Sequence, residues 1–172
     1  MNLKLPGKRL IFIIAGLLVT DQYTKHIVSE NLLKYQSVVI IPNFFSLTYV
    51  ENSGAAFGLL ANLNPAYRTL FFAGVSLMAL GAVALLYRSF PLENSLSRTA
   101  AVMIMGGALG NLIDRLRFGV VVDFLDFHWY QYHWPAFNVA DAAITTGVGI
   151  LLLDAFLDGR KQKVSKTVHH AP

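Results

Sequence analysis

No cysteine occurs among the 172 residues, which excludes disulfides, thiol nucleophiles and cysteine-ligated metal. Charge is also scarce. Asp, Glu, Lys and Arg make up 14% of the chain against 55% hydrophobic residues, whereas a soluble domain carries about 25% charged residues. The sequence has no His-Glu-x-x-His to suggest zinc proteolysis and no Gly-x-Ser-x-Gly elbow. It has no internal repeat and no low-complexity tract. The net charge of +4 would suit nucleic acid, but the basic residues sit at the ends of apolar stretches rather than on one polar face. No nucleic-acid partner is expected.

What is present is a set of long apolar stretches. A helix needs roughly 20 mainly apolar residues to cross a bilayer core, and Leu10 to Val28, Tyr67 to Tyr87, Thr99 to Leu116 and Ala136 to Leu157 approach that length. The first resembles a signal-peptide core behind Lys4, Lys8 and Arg9, but no small-x-small cleavage site follows Val19, so it is read as a retained helix. Lys and Arg flank the cytoplasmic ends of membrane helices. Lys4, Lys8 and Arg9, then Arg88 and Arg98, then Arg160, Lys161, Lys163 and Lys166 all satisfy that bias if four spans leave both termini inside. The expected fold is an all-α integral membrane protein of four transmembrane helices with a small extracytoplasmic β cradle. It forms one domain over residues 1–172, with cytoplasmic basic tails at 1–9 and 159–172. Ser37 to Ile41 and Phe44 to Val50, two β-rich runs around Pro42-Asn43, suggest a small hairpin or sheet at the interface. Phe124, Phe127, Trp129, Tyr130, Tyr132 and Trp134 crowd the second outer segment as interfacial anchors.

Ionisable residues inside a bilayer are costly and mark function or a buried pair. With a rise of about 1.5 Å per residue, Asp21, Asn111, Asp114 and Arg115 lie roughly 17 to 24 Å from the inner ends of the first and third helices. Asn138 and Asp141 lie about 3 to 9 Å below the outer end of the fourth. Asp123 follows the third helix closely. Residues distant in sequence therefore share the outer third of the membrane.

Each has a plainer account beside the functional one. Asp21 and Lys25, spaced i,i+4, form a structural pair whose charges offset their own desolvation. Arg115 snorkels to the interface. Asn138 and Asp141 form a helix-start capping box, although Glu or Gln is usual at its third position. Asp123 is a loop carboxylate. Asp126 and Glu51 are expected to be solvated, His128 and His133 to be interfacial rather than metal ligands, and Asp154 and Asp158 to balance the basic tail. The functional account takes Asp123 and Asp141 as a pair. Two adjacent carboxylates cannot both ionise easily, so one keeps a proton and the other acts as base. That is aspartic-protease chemistry, which needs neither metal nor cofactor. A proton-coupled transporter using the same carboxylates is the rival, but a relay must cross the midplane, and the inner two-thirds of each helix is nearly free of ionisable groups. A structural anchor for partner proteins is a third reading.

Five segments carry a resemblance: Asp21-Gln22-x-x-Lys25, Glu51 to Phe57, Gly106 to Arg115, Val121 to Phe124, and Pro135 to Asp141. In this combination and order the chain resembles lipoprotein signal peptidase, also called signal peptidase II. The resemblance implies four transmembrane helices, a β cradle and an amphipathic outer helix. It implies Asp123 and Asp141 as the catalytic dyad, with Asn52, Gly54, Asn111, Arg115, Asn138, Asp21 and Lys25 as substrate-binding or site-orienting residues. The implied reaction is hydrolysis just before the diacylglyceryl-modified cysteine of a prolipoprotein, at the outer face of the bacterial inner membrane. The implied partners are lipid-modified signal peptides, membrane lipids and globomycin-type inhibitors, and the chain is expected to act as a monomer.

Overall fold

A computed structural model describes residues 8–54 and 64–168, the side chains of 8, 9 and 158–168 excepted. Four helices correspond to the four apolar stretches: α1 (Lys8–Asn31), α2 (Pro65–Ser89), α3 (Ser95–Phe118) and α4 (Val139–Val168). Their ends follow local rules. Asn64 caps α2, its side chain accepting the Ala66 N–H ahead of a proline in the first turn, where a missing N–H costs nothing. Asn94 caps α3 in the same way through Ser97. At its other end Gly119, at φ +74°, returns its N–H to the Arg115 carbonyl, a left-handed position that favours glycine.

The helix α3 is the central one, packed by α1, α2 and α4. Its face along Ala100, Ala101, Val102 and Ile104 is buried, and Tyr87 of α2 closes that core. The outer surfaces of the other helices stay apolar: Phe12, Val19, Leu70, Met78, Leu85, Leu152 and Phe156 are all exposed. So extensive an apolar exterior suits lipid rather than water. Among the described residues, α2, α3 and the Val139–Leu157 part of α4 are long and apolar enough to cross a membrane. The first helix is not in that set, because Asp21, Gln22, Lys25 and His26 dilute its C-terminal half.

A four-stranded antiparallel sheet packs at one end, β1 (Ser37–Ile41), β2 (Phe45–Asn52), β3 (Val121–Trp129) and β4 (Tyr132–His133), in the order β1-β2-β3-β4. The first two strands match the expected hairpin. The last two enlarge the expected sheet: the aromatic-rich segment after α3 supplies half of its strands. Its period-2 signal is missing because Val121 to Phe124 are buried in succession, so no polar face alternates with an apolar one. Phe127 sits 4.7 Å from the Phe45 ring, 5.7 Å from Phe44 and 5.8 Å from Phe137, tying both hairpins to the start of α4. The implied amphipathic outer helix has no separate counterpart among the described residues, and Ala55, Ala56 and Phe57 of the second motif lie outside them.

Candidate active site

Asp123 enters the site from β3, where the register sets it opposite Val50 and sets Val121 opposite Asn52. Its side chain is buried. Asn52, at the exposed end of β2, donates from Nδ2 to Asp123 Oδ2 at 2.9 Å. Gly54 fixes that amide by donating its N–H to Asn52 Oδ1 at 2.8 Å. At φ +83°, a Cβ on Gly54 would also stand 2.6 Å from the Phe72 ring, so both backbone angle and space require glycine.

Asn138 is fully buried and touches both acids. Its Nδ2 donates to Asp123 Oδ1 at 2.7 Å, while its backbone N–H donates to Asp141 Oδ2 at 3.3 Å. Asn138 Oδ1 in turn accepts the Asp141 N–H at 2.9 Å. The reciprocal pair is a capping box, so the plainer account and the functional one describe the same atoms. Asp141 is half-buried in the first turn of α4, where the helix dipole favours an anion. Asn111 of α3 completes the ring, its Nδ2 donating to Asp141 Oδ1 at 2.7 Å.

The Asp123 carboxyl is pushed up to about 6, chiefly by burial. The neighbouring Asp141 charge adds to the rise, while the Asn52 and Asn138 donors and the Lys25 charge oppose it. A carboxyl held near 6 beside a carboxylate that accepts two N–H donors can share one proton unequally, which supplies an acid and a base together.

A second layer lies behind Asn111. Lys25 Nζ is 2.8 Å from Asp21 Oδ2, 2.8 Å from Asp114 Oδ2 and 2.9 Å from Asn111 Oδ1, all buried. Asp21 also accepts the Ala140 N–H of α4 at 2.9 Å. Asp114 and Gln22, outside the expected site set, belong to this cluster: Gln22 Nε2 donates to Asp114 Oδ1 at 2.7 Å. Their signal in the sequence was a polar side chain on an otherwise apolar helix. Three glycines let the helices meet here. A Cβ on Gly106 would crowd Leu17, one on Gly107 would crowd Ile144, and one on Gly110 would stand 2.6 Å from Asp21 Oδ2.

Arg115 does not snorkel. Its guanidinium is half-buried and donates to Ser76 Oγ and to the Asn111 carbonyl, each at 3.3 Å. Its charge acts on Asp141, Asp114 and Asp123. Asp126 is buried rather than solvated, accepting from His133 Nδ1 at 2.8 Å and from Thr48 Oγ1 at 3.3 Å. Glu51 pairs with Lys34 at 2.5 Å. At the opposite end of the bundle Asp154 accepts from Asn94 Nδ2 at 2.8 Å and from the Ser97 hydroxyl, so charge balance with the tail is not its sole role. The Asp158 side chain lies outside the described residues.

Residues 13–157 match the family model described as signal peptidase (SPase) II. The chain is 51% identical over 158 residues to the lipoprotein signal peptidase of Syntrophotalea carbinolica, covering 91% of this chain and 97% of that one. It is 46% identical to the lipoprotein signal peptidase of Geobacter metallireducens, covering 91% and 96%. A bacterial membrane enzyme solved by the in meso method at 2.3 Å resolution superposes with a TM-score of 0.79 at 31% identity, covering 92% of this chain and 94% of the other.

Proposed function

The chain belongs to the signal peptidase II family, and from that premise we propose that it is an aspartic endopeptidase that cuts prolipoproteins immediately before the diacylglyceryl-modified cysteine. The observation that carries the reading is Asn138, which donates to Asp123 from its side chain and to Asp141 from its backbone. One buried residue thereby sets two carboxyls toward a common space.

In this reading Asp123 holds the shared proton and Asp141 is ionised. A water between them loses a proton to Asp141 as its oxygen attacks the scissile carbonyl, while Asp123 donates its proton to the carbonyl oxygen. Collapse of the tetrahedral intermediate returns that proton to Asp123, and Asp141 passes its own to the leaving amine. The products are a carboxylic acid and a free amine, and no metal or cofactor enters. Asn52, Gly54, Asn111, Arg115 and Asn138 orient the carboxyls or bind the substrate backbone. Asp21 and Lys25 act from behind them.

The proposed setting is the bacterial inner membrane, crossed four times by one domain. The basic tails at 1–9 and 159–172 are cytoplasmic, and the sheet is an extracytoplasmic cradle. A signal peptide embedded in the bilayer then presents its cleavage site at the depth of the carboxyls. Membrane lipids surround the protein, and globomycin-type inhibitors compete for the same site.

Mass spectrometry of cleavage products tests the specificity. Purified enzyme is expected to cut a diacylglyceryl-modified prolipoprotein peptide at the bond before the cysteine and to leave the unmodified peptide intact. Equal cleavage of both peptides would contradict the lipid requirement.

A further inference from the structure

The buried cation Lys25 touches neither acid. Its three ammonium hydrogens have three acceptors, on Asp21, Asp114 and Asn111, which exhausts its donors. The first two contacts neutralise charge. The third does something else. An asparagine amide has two faces, and a hydrogen-bond donor on one side decides which way it points. With the ammonium at 2.9 Å, Asn111 must turn Oδ1 toward Lys25, so Nδ2 faces Asp141 Oδ1 at 2.7 Å. The same Oδ1 accepts from Asn138 Nδ2 at 3.2 Å, and Asn138 Nδ2 reaches Asp123 Oδ1. Two amides in series therefore run from one cation to both carboxyls.

We propose that Lys25 is a positioning residue for the proteolytic dyad: it fixes the orientation of the Asn111 amide and, through Asn111 and Asn138, the carboxyls of Asp141 and Asp123. This rests on the aspartic dyad proposed above. Asp21 and Asp114 hold the ammonium in place, and Asp21 anchors it to α4 by accepting the Ala140 N–H. A flipped Asn111 would set its NH2 group against the ammonium and its carbonyl oxygen against Asp141; the loss of Lys25 removes the first penalty and leaves the amide held by Asp141 and Asn138 alone.

A merely structural Lys25 would matter only by neutralising its two carboxylates. The double variant Lys25→Met/Asp114→Asn preserves the net charge of the cluster and separates the two roles. Lys25→Met alone is expected to lower the melting temperature in detergent by several degrees, and the double variant to recover most of it. Both are expected to lose roughly 10- to 100-fold in kcat, the scale of a misplaced catalytic group, with KM within about threefold of wild type. Lys25 favours the ionised form of Asp123, so in these variants the limb of the rate profile that Asp123 governs moves to higher pH. Asn111→Ser leaves the ion cluster intact and is expected to reproduce the kcat loss. Added to the double variant, it lowers the rate no further.

A double variant that folds and turns over at the wild-type rate with an unmoved pH profile would overturn the proposal. So would an Asn111→Ser enzyme of normal kcat, which decides the matter even if the Lys25 variants do not fold. Asp123→Asn runs in the same assay. If it still cleaves, the dyad reading has failed; if it is dead while the Lys25 and Asn111 variants are normal, the positioning role alone has failed.

Discussion

Single residues in this site carry two roles, and one accounts for the other. Asn138 and Asp141 start α4 as a capping box, yet the bonds that start the helix also hold Asp141 beside Asp123. Depth counting along the apolar stretches brought Asp21, Asn111, Asp114, Arg115, Asn138 and Asp141 into one layer, so most of the site was legible from helix rise alone. Asp126 was not, because its burial depends on a strand pairing that pattern reading missed. Asp123 offers a stability test. Its folded carboxyl titrates at about 6 against an ordinary 3.8, so folding favours the neutral form. That contribution is full below about pH 4 and is lost as pH rises through about 6, amounting to about 3 kcal/mol at most. Thermal unfolding of wild type is therefore expected to fall more steeply between pH 4 and 7.5 than that of Asp123→Asn. Parallel curves would contradict the raised value.

At the scale of elements, the helices were legible and half of the sheet was not. Apolar length marks a helix even where ionisable residues interrupt it, and Asn64, Asn94 and Gly119 set the boundaries by local chemistry. The first hairpin announced itself through Pro42-Asn43. The strand β3 did not, being buried on both faces along Val121 to Phe124. The contacts of the three glycines in α3 mark them as positions of close helix packing rather than open space. Gly110 is the sharpest case, since the Asp21 carboxylate it faces is already held by Lys25 at Oδ2 and by the Ala140 N–H at Oδ1. Gly110→Ala is expected to destabilise by about 1–3 kcal/mol, read as a lower melting temperature, and to reduce activity with it. An unchanged melt would mean that α1 and α3 separate freely here.

Over the whole molecule, the chain places a buried, hydrogen-bonded cluster at one end of an apolar bundle and caps it with a sheet. The proposed topology rests on the positive-inside bias of the flanking charges. The absence of cysteine makes it testable with single replacements. Tyr132→Cys, at an exposed position of β4, is expected to react with a membrane-impermeant thiol reagent in intact spheroplasts. Ser165→Cys, in the basic tail, is expected to react only after permeabilisation, and the reverse pattern would invert the assigned orientation. The central claim is that Asp123 and Asp141 together perform the hydrolysis. Its most direct test is cleavage of a diacylglyceryl-modified prolipoprotein peptide by purified wild type, Asp123→Asn and Asp141→Asn, each shown to be folded, in metal-free detergent. The account predicts cleavage before the lipidated cysteine by wild type and a loss of at least about 10³-fold in both variants, as when a residue of a concerted catalytic set is removed. A folded variant of either aspartate that cleaves at a rate near wild type would contradict it.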